Sequence, residues 1–248
     1  MILTTITPFA DILSEPQEPE KISNKDSQLL YGEQFEVEES HGAYVFGKSL
    51  TDGYQGYVER DQLAKETPSP NASVSIPLTH LYPEPSFKAR PLMPLSFLSQ
   101  LNCLDEEQNG FTQTSEGWVF SNHFQNHERF NLGMDLADTA LFFYNTPYLY
   151  GGRTSLGIDC SGLVQMALLG LSHRNVMRDS ADQMKTIGEE TSADTLQRND
   201  IVFFDGHVGI MMDESNILNA TARHMITLIE SLNELTAAYG DIKTARRV

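Results

Sequence analysis

A glycine-rich stretch that delivers a lone cysteine to the start of an apolar helix is the feature that most limits what this chain can fold into. It runs Gly151-Gly152-Arg153-Thr154-Ser155-Leu156-Gly157-Ile158-Asp159-Cys160-Ser161-Gly162-Leu163-Val164. The glycines mark a turn, and Leu163, Val164, Ala167 and Leu168 give the helix an inward face. A thiol at that junction gains from the positive end of the helix dipole and from backbone N–H groups without helical partners, both of which favour thiolate. About fifty residues on, Gly206-His207-Val208-Gly209-Ile210 places a histidine at the head of a short strand. A cysteine poised to ionise and a distant histidine are the minimum equipment for acyl transfer through a thiol nucleophile.

The rest of the chain sorts by texture. Residues 1–66 read as short strands separated by polar turns: Phe35–Glu38, Ala43–Phe46 and Tyr54–Val58, the last preceded by an Asp52-Gly53 turn. Thr67-Pro68-Ser69-Pro70-Asn71 interrupts regular structure and reads as a linker. Residues 72–127 form a second β-rich stretch, with strands expected at Val74–Ile76, Phe97–Leu101 and Glu116–Phe120. Gly56-Tyr57-Val58 and Gly117-Trp118-Val119 hint at an internal repeat, hence at two small barrels of one type. From residue 130 the pattern is helices first and strands afterwards, an α+β domain over 130–248. Helices are expected at Leu132–Tyr144, after Cys160, and at Ser180–Ile187, and strands at Asp200–Phe204, His207–Met212 and Ile217–Thr221.

Charge narrows the partners. With 34 acidic and 17 basic residues the 248-residue chain carries a formal charge of −17, which argues against nucleic acid or an anionic membrane as its partner. Met1–Pro8 has no basic export region, and no apolar run reaches membrane-spanning length. The only cysteines, Cys103 and Cys160, fall in different segments, so disulfides are not expected and a cytoplasmic location is.

Taken together, Pro147-Tyr148-Leu149-Tyr150-Gly151-Gly152, Asp159-Cys160-Ser161-Gly162 and Gly206-His207-Val208-Gly209-Ile210 resemble the NlpC/P60 cysteine peptidases. Asn199-Asp200-Ile201-Val202-Phe203-Phe204 resembles the family strand before the histidine, with Asn199 where glycine is usual. Leu30-Tyr31-Gly32-Glu33 and Gly53–Val58 resemble bacterial SH3 domains, and the likeness extends over nearly the whole chain. The resemblance implies a papain-like α+β catalytic domain behind two small SH3-like β-barrels. It also implies hydrolysis of the γ-D-glutamyl–L-diamino acid bond in murein tri- or tetrapeptides with a free N-terminal L-alanine, as in cell-wall recycling, without cofactor or metal.

Site roles follow from the same resemblance. Cys160 becomes the nucleophile and His207 the base. Asn219, in Ile217-Leu218-Asn219-Ala220, stands where the family often has a histidine; an amide oxygen can still orient an imidazole, and His224 is the rival partner. Tyr148 is placed near the nucleophile. Asp159 and Ser161 flank it and touch substrate, with a helix N-cap as an equally open role for Asp159. In Arg178-Asp179-Ser180-Ala181-Asp182-Gln183, Ser180 contacts substrate and Arg178 is the cation for a substrate carboxylate. From the first SH3 module come Tyr54 and an acidic anchor for the substrate amine, assigned to Asp26. Cys103 is read as packing. The competing readings are another papain-like acyl-transfer enzyme, such as an amidase or transglutaminase, and a non-catalytic cell-wall-binding SH3 protein. Cys160 and His207 alone do not make a zinc set.

Overall fold

The computed structural model describes residues 1–17, 24–65 and 67–248. The chain divides into two compact units, Met1–Asn131 and Leu132–Val248.

Unit 1 opens with an antiparallel sheet of seven strands: β1 Ile2–Thr5, β2 Phe9–Leu13, β3 Lys25–Leu30, β4 Gln34–His41, β5 Tyr44–Ser49, β6 Gln55–Glu59 and β7 Leu63–Ala64, in the order β3-β2-β6-β5-β4-β1-β7. The alternation read from the sequence puts Phe35, Val37, Val45 and Val58 inward, where they join Leu3, Ile12, Leu29 and Leu63 in one core. Gly53, at φ +77, makes the turn into β6. The expected end of this segment, residue 66, lies outside the described residues.

The following segment departs from the expectation of two like barrels. It forms three small sheets: β9 (Leu78–Leu81) with β10 (Met93–Ser96); β8 (Ala72–Val74) between β11 (Gln100–Leu101) and β15 (Phe124–Asn126); and β12 (Cys103–Gln108), β13 (Phe111–Thr114) and β14 (Gly117–Phe120). One SH3-like barrel is evident, not two. The physical reason is on the sequence: Pro77, Pro83, Pro85, Pro91 and Pro94 remove ladder donors, and a register shift interrupts β12 against β13. Phe97–Leu101, expected as one strand, turns at Leu98 (φ +65) and keeps only Gln100–Leu101. Tyr31 of the first segment is buried in the core of the second with Val74, Leu81, Leu95 and Val119, and its carbonyl accepts from the Gln100 N–H, which is why the two segments form one unit.

Unit 2 is α+β. After α1 (Leu136–Ala140) come the β16–β17 hairpin (Arg153–Thr154, Gly157–Ile158), α2 (Cys160–Gly170) and α3 (Ser180–Thr186). Next are β18 (Glu189–Thr191), β19 (Ile201–Phe204), β20 (His207–Met211), β21 (Asn216–Thr221), β22 (Ile226–Ser231), α4 (Leu232–Tyr239) and β23 (Thr244–Arg247). The sheet order is β18-β23-β19-β20-β21-β22, all antiparallel. Helix α2 packs across β20 and β21, with Leu163, Val164, Met166 and Ala167 fully buried. Each of the larger side chains contributes about 1.5–3 kcal/mol by leaving water. Leu235 of α4 packs with Val202, Phe204, Met211 and Ile217.

Helix α1 is shorter than its periodicity predicts because Asp135 caps it, accepting from the Asp138 N–H at 2.8 Å. Asn199 explains its own departure from glycine. At φ +78 it holds the left-handed conformation, and its Oδ1 accepts the Ala137 N–H at 2.9 Å, tying α1 to the start of β19. Asn199→Gly therefore keeps the backbone bend but loses the tie, and urea unfolding is expected to show a loss of about 1 kcal/mol.

Candidate active site

Everything around Cys160 is organised by the turn before it. Asp159 is the N-cap of α2: Oδ1 accepts the Gly162 N–H at 2.7 Å, and Oδ2 accepts the Gly151 N–H at 2.8 Å. One carboxylate thus holds the helix start and the glycine turn together. Gly162 has to be glycine, since a Cβ there would lie 2.4 Å from the Gly152 carbonyl oxygen.

Arg178 completes this anchor. Its guanidinium forks onto Asp159, Nη2 to Oδ2 at 2.7 Å and Nη1 to Oδ1 at 3.0 Å, and Nη1 also donates to Ser161 Oγ at 2.8 Å. The Arg178 side chain is 1% exposed, with its guanidinium directed at Asp159 and Ser161. Burial works against the guanidinium, but the Asp159 charge and hydrogen bonds outweigh it and hold Arg178 above its ordinary range. Ser161 Oγ, buried, also donates to Asp159 Oδ1. Gln183 points inward as well, donating from Nε2 to the carbonyls of Ser161 and Met177, both at 2.9 Å. Of the Arg178–Gln183 segment, Ser180 is the partly exposed first residue of α3.

Cys160 is partly exposed as the first residue of α2. Burial around the sulfur and the Asp159 charge push its thiol up to about 12, against backbone N–H groups of Val208 and Ser161 that point at the sulfur and favour thiolate. The Val208 contact brings the nucleophile against the residue following His207. His207 enters β20 directly from the two-residue Asp205-Gly206 turn, which Gly206 at φ +69 allows. Its Nε2 meets Asn219 Oδ1 at 3.0 Å. Asn219, and not His224, faces the ring. Burial drives His207 down to about 4, while the Asn219 hydrogen bond and the Glu230 charge pull the other way. Both members of the pair therefore rest neutral near pH 7. Moving the thiol proton to the imidazole creates two charges side by side, each the other's counter-ion.

Three groups complete the cluster. Tyr148, half-buried, bridges to Ile158 and lies in the fields of Cys160 and Asp159, which together with burial raise its hydroxyl well above the ordinary tyrosine range. Tyr239, at the end of α4, stacks on His207 with centroids 4.0 Å apart and planes 7° from parallel, its hydroxyl held by Thr221 at 2.9 Å. Glu230 accepts from Asn219 Nδ2 at 3.0 Å. Sequence reading missed both Tyr239 and Glu230. The signal for Glu230 was a lone acid in the apolar run Ile226–Ser231, where the structure buries Glu230 and exposes Ile229.

The remaining candidates belong to unit 1. Tyr54 packs on the core of the first sheet, and Asp26 sits half-buried in β3. Cys103 is half-buried, its thiol pushed up to about 11 by burial, in keeping with packing. Among the described residues no three His, Cys, Asp or Glu side chains converge as metal ligands, and no helix is long and apolar enough to cross a membrane.

Comparison with known proteins agrees with this geometry. Residues 145–243 match the NlpC/P60 family, and residues 17–63 match the bacterial dipeptidyl-peptidase Sh3 domain. The chain is 27% identical over 237 residues to a gamma-D-glutamyl-L-lysine dipeptidyl-peptidase of Bacillus subtilis, covering 84% of this chain and 77% of that protein. A protein of the same name from Bacillus cereus is 25% identical over 241 residues, covering 84% of this chain and 71% of that protein. A crystal structure of an NlpC/P60 family protein from Bacillus cereus superposes with a TM-score of 0.84 at 21% identity, covering 100% of this chain and 99% of that one. Residues 145–243 thus form an NlpC/P60 cysteine-peptidase domain, with an SH3-like domain before it in the chain.

Two outcomes are expected. Arg178→Ala leaves the buried Asp159 carboxylate uncompensated and should lower unfolding stability by about 3–5 kcal/mol; a stable variant with only a raised KM would return Arg178 to substrate binding. For His207, the unfolded ring titrates at 6.5 and the folded ring at about 4, so between those values the unfolded chain holds more protons and stability falls as the pH is lowered. From about pH 7 to about pH 5 this one group removes about 2 kcal/mol, a loss that should be missing from His207→Gln when the two are compared by urea unfolding.

Proposed function

We propose that this NlpC/P60 chain is an endopeptidase of peptidoglycan stem peptides, cleaving the bond between γ-D-glutamate and an L-diamino acid in muropeptides with a free N-terminal L-alanine. The observation that carries the chemistry is the backbone N–H of Val208, the residue after His207, directed at the Cys160 sulfur, with His207 Nε2 on Asn219 Oδ1 at 3.0 Å. The substrate class is supported by the names of the two Bacillus relatives, gamma-D-glutamyl-L-lysine dipeptidyl-peptidases that align with 84% of this chain.

In this reading His207, protonated at Nε2, takes the thiol proton at Nδ1, and the Cys160 thiolate adds to the γ-carbonyl carbon. Backbone N–H groups at the start of α2, together with the Tyr148 hydroxyl, stabilise the oxyanion. Collapse breaks the C–N bond, and the imidazolium gives its proton to the departing amine. Water then adds to the thioester with His207 again as base, releasing L-Ala-D-Glu and restoring the thiol. No cofactor enters.

Substrate binding is assigned to Tyr148 and Ser180, with Asp159 and Ser161 supporting from below. Tyr54 and Asp26 are assigned to the amine end, as contributions of the SH3-like domain over residues 1–66. Residues 72–127 are taken as a diverged second module of that type, and residues 130–248 as the catalytic domain. Two free thiols fit a cytoplasmic, recycling role.

Mass spectrometry of L-Ala-γ-D-Glu-diaminopimelate, run beside its N-acetylated form, tests the reading. Release of L-Ala-D-Glu from the free peptide alone is the expected result, with all turnover abolished in Cys160→Ala. Cleavage of both peptides discards the amine anchor, and cleavage of neither, or turnover by Cys160→Ala, overturns the proposal.

A further inference from the structure

Asn219 poses a problem that the structure answers. An amide can accept the imidazole N–H, but it is uncharged and can turn end for end, offering its NH2 group instead of its oxygen. Only the oxygen leaves His207 in the tautomer that can receive a proton from Cys160. Something has to fix the amide, and an imidazolium buried beside a neutral partner also needs a negative charge nearby.

Glu230 meets both requirements. It lies on β22, where Asn219 pairs with Leu228 and Ile217 pairs with Glu230, so Asn219 and Glu230 are diagonal neighbours on one face. Glu230 Oε2 accepts from Asn219 Nδ2 at 3.0 Å, and the Leu228 carbonyl accepts from the same nitrogen at 3.4 Å. An ionised carboxylate has no proton to donate, so Nδ2 must face Glu230 and Oδ1 must face His207. His207 Nε2 then carries the proton, and Nδ1 is left as the base. The carboxylate is itself held: Oε1 meets Arg223 Nη2 at 3.2 Å and His224 Nε2 at 3.5 Å, and the Glu230 side chain is 7% exposed. Arg223 also lies over the Tyr239 ring, the ring that stacks on His207, and Glu234 of α4 lies within the field of Arg223 and His224.

We infer that Glu230 is a positioning residue of this site, the fourth member of a Cys160–His207–Asn219–Glu230 chain: it locks the Asn219 amide, selects the His207 tautomer and balances the imidazolium. The inference rests on the proposed peptidase reading for its kinetic consequence, but the tautomer is a property of the resting protein. A carboxylate on the strand next to the orienting residue supplies the charge that Asn219 lacks.

The test is Glu230→Gln, whose amide can donate to Asn219 Oδ1 and so permits the flip. With L-Ala-γ-D-Glu-diaminopimelate, kcat is expected to fall by about 10- to 100-fold with KM within about twofold of wild type, the scale seen when an outer partner of a functional histidine is lost. In the same variant, 15N NMR of His207 is expected to show the Nδ1–H tautomer, against Nε2–H in wild type. A kcat within about twofold of wild type, or an unchanged tautomer, overturns the assignment. If Glu230→Gln fails to fold by circular dichroism, the wild-type spectrum decides, because a resting Nδ1–H ring contradicts the chain directly. A wild type that leaves the peptide intact sinks the peptidase reading and not this one, which the tautomer still judges.

Discussion

The Asp159–Arg178 pair is the interaction on which the site depends. Both side chains are buried, and the carboxylate binds the guanidinium, the Gly162 N–H and the Gly151 N–H together. The cost of burying two charges is offset by bidentate geometry and by satisfying a helix end that would otherwise leave orphan donors. The return is position: the glycine turn, the helix N-terminus and the sulfur of Cys160 become one rigid object. Gln183, bonded to the Ser161 and Met177 carbonyls, extends the same object to α3.

Against that fixed nucleophile the antiparallel sheet sets the base. A two-residue turn puts His207 at the first position of β20, and the next strands supply its partners in order, Asn219 from β21 and Glu230 from β22. Tyr239 covers the ring from α4. Each charge needed in the reaction is disfavoured alone by burial, which pushes the thiol up and the imidazole down. The arrangement therefore favours their joint formation at the moment of attack and keeps the resting pair neutral.

How much of this was legible in the sequence differs by residue. Cys160 and His207 stand out because glycine, a polar cap and an apolar run leave few other foldings, and Asn219 follows from the family resemblance of Ile217-Leu218-Asn219-Ala220. The α+β order of unit 2 was readable for the same reason. The Arg178–Asp159 pairing was not legible, because a charged residue beside a helix start shows no partner of its own and this one lies 19 residues away. Glu230 and Tyr239 are missed because the end of the chain has no motif, and β22 inverts the usual alternation by burying its acid. The second β segment reads as a barrel from the likeness of Gly117-Trp118-Val119 to Gly56-Tyr57-Val58; its prolines break the ladders that a continuous sheet would need.

The claim that bears most weight is that acyl transfer passes through Cys160. Rapid acid quench during turnover of L-Ala-γ-D-Glu-diaminopimelate, followed by proteolysis and mass spectrometry, reads the acyl-enzyme directly. The account predicts an L-Ala-D-Glu acyl group, joined through the γ-carbonyl as a thioester, on the peptide that contains Cys160. An acyl group carried on any other residue, Cys103 included, would contradict it.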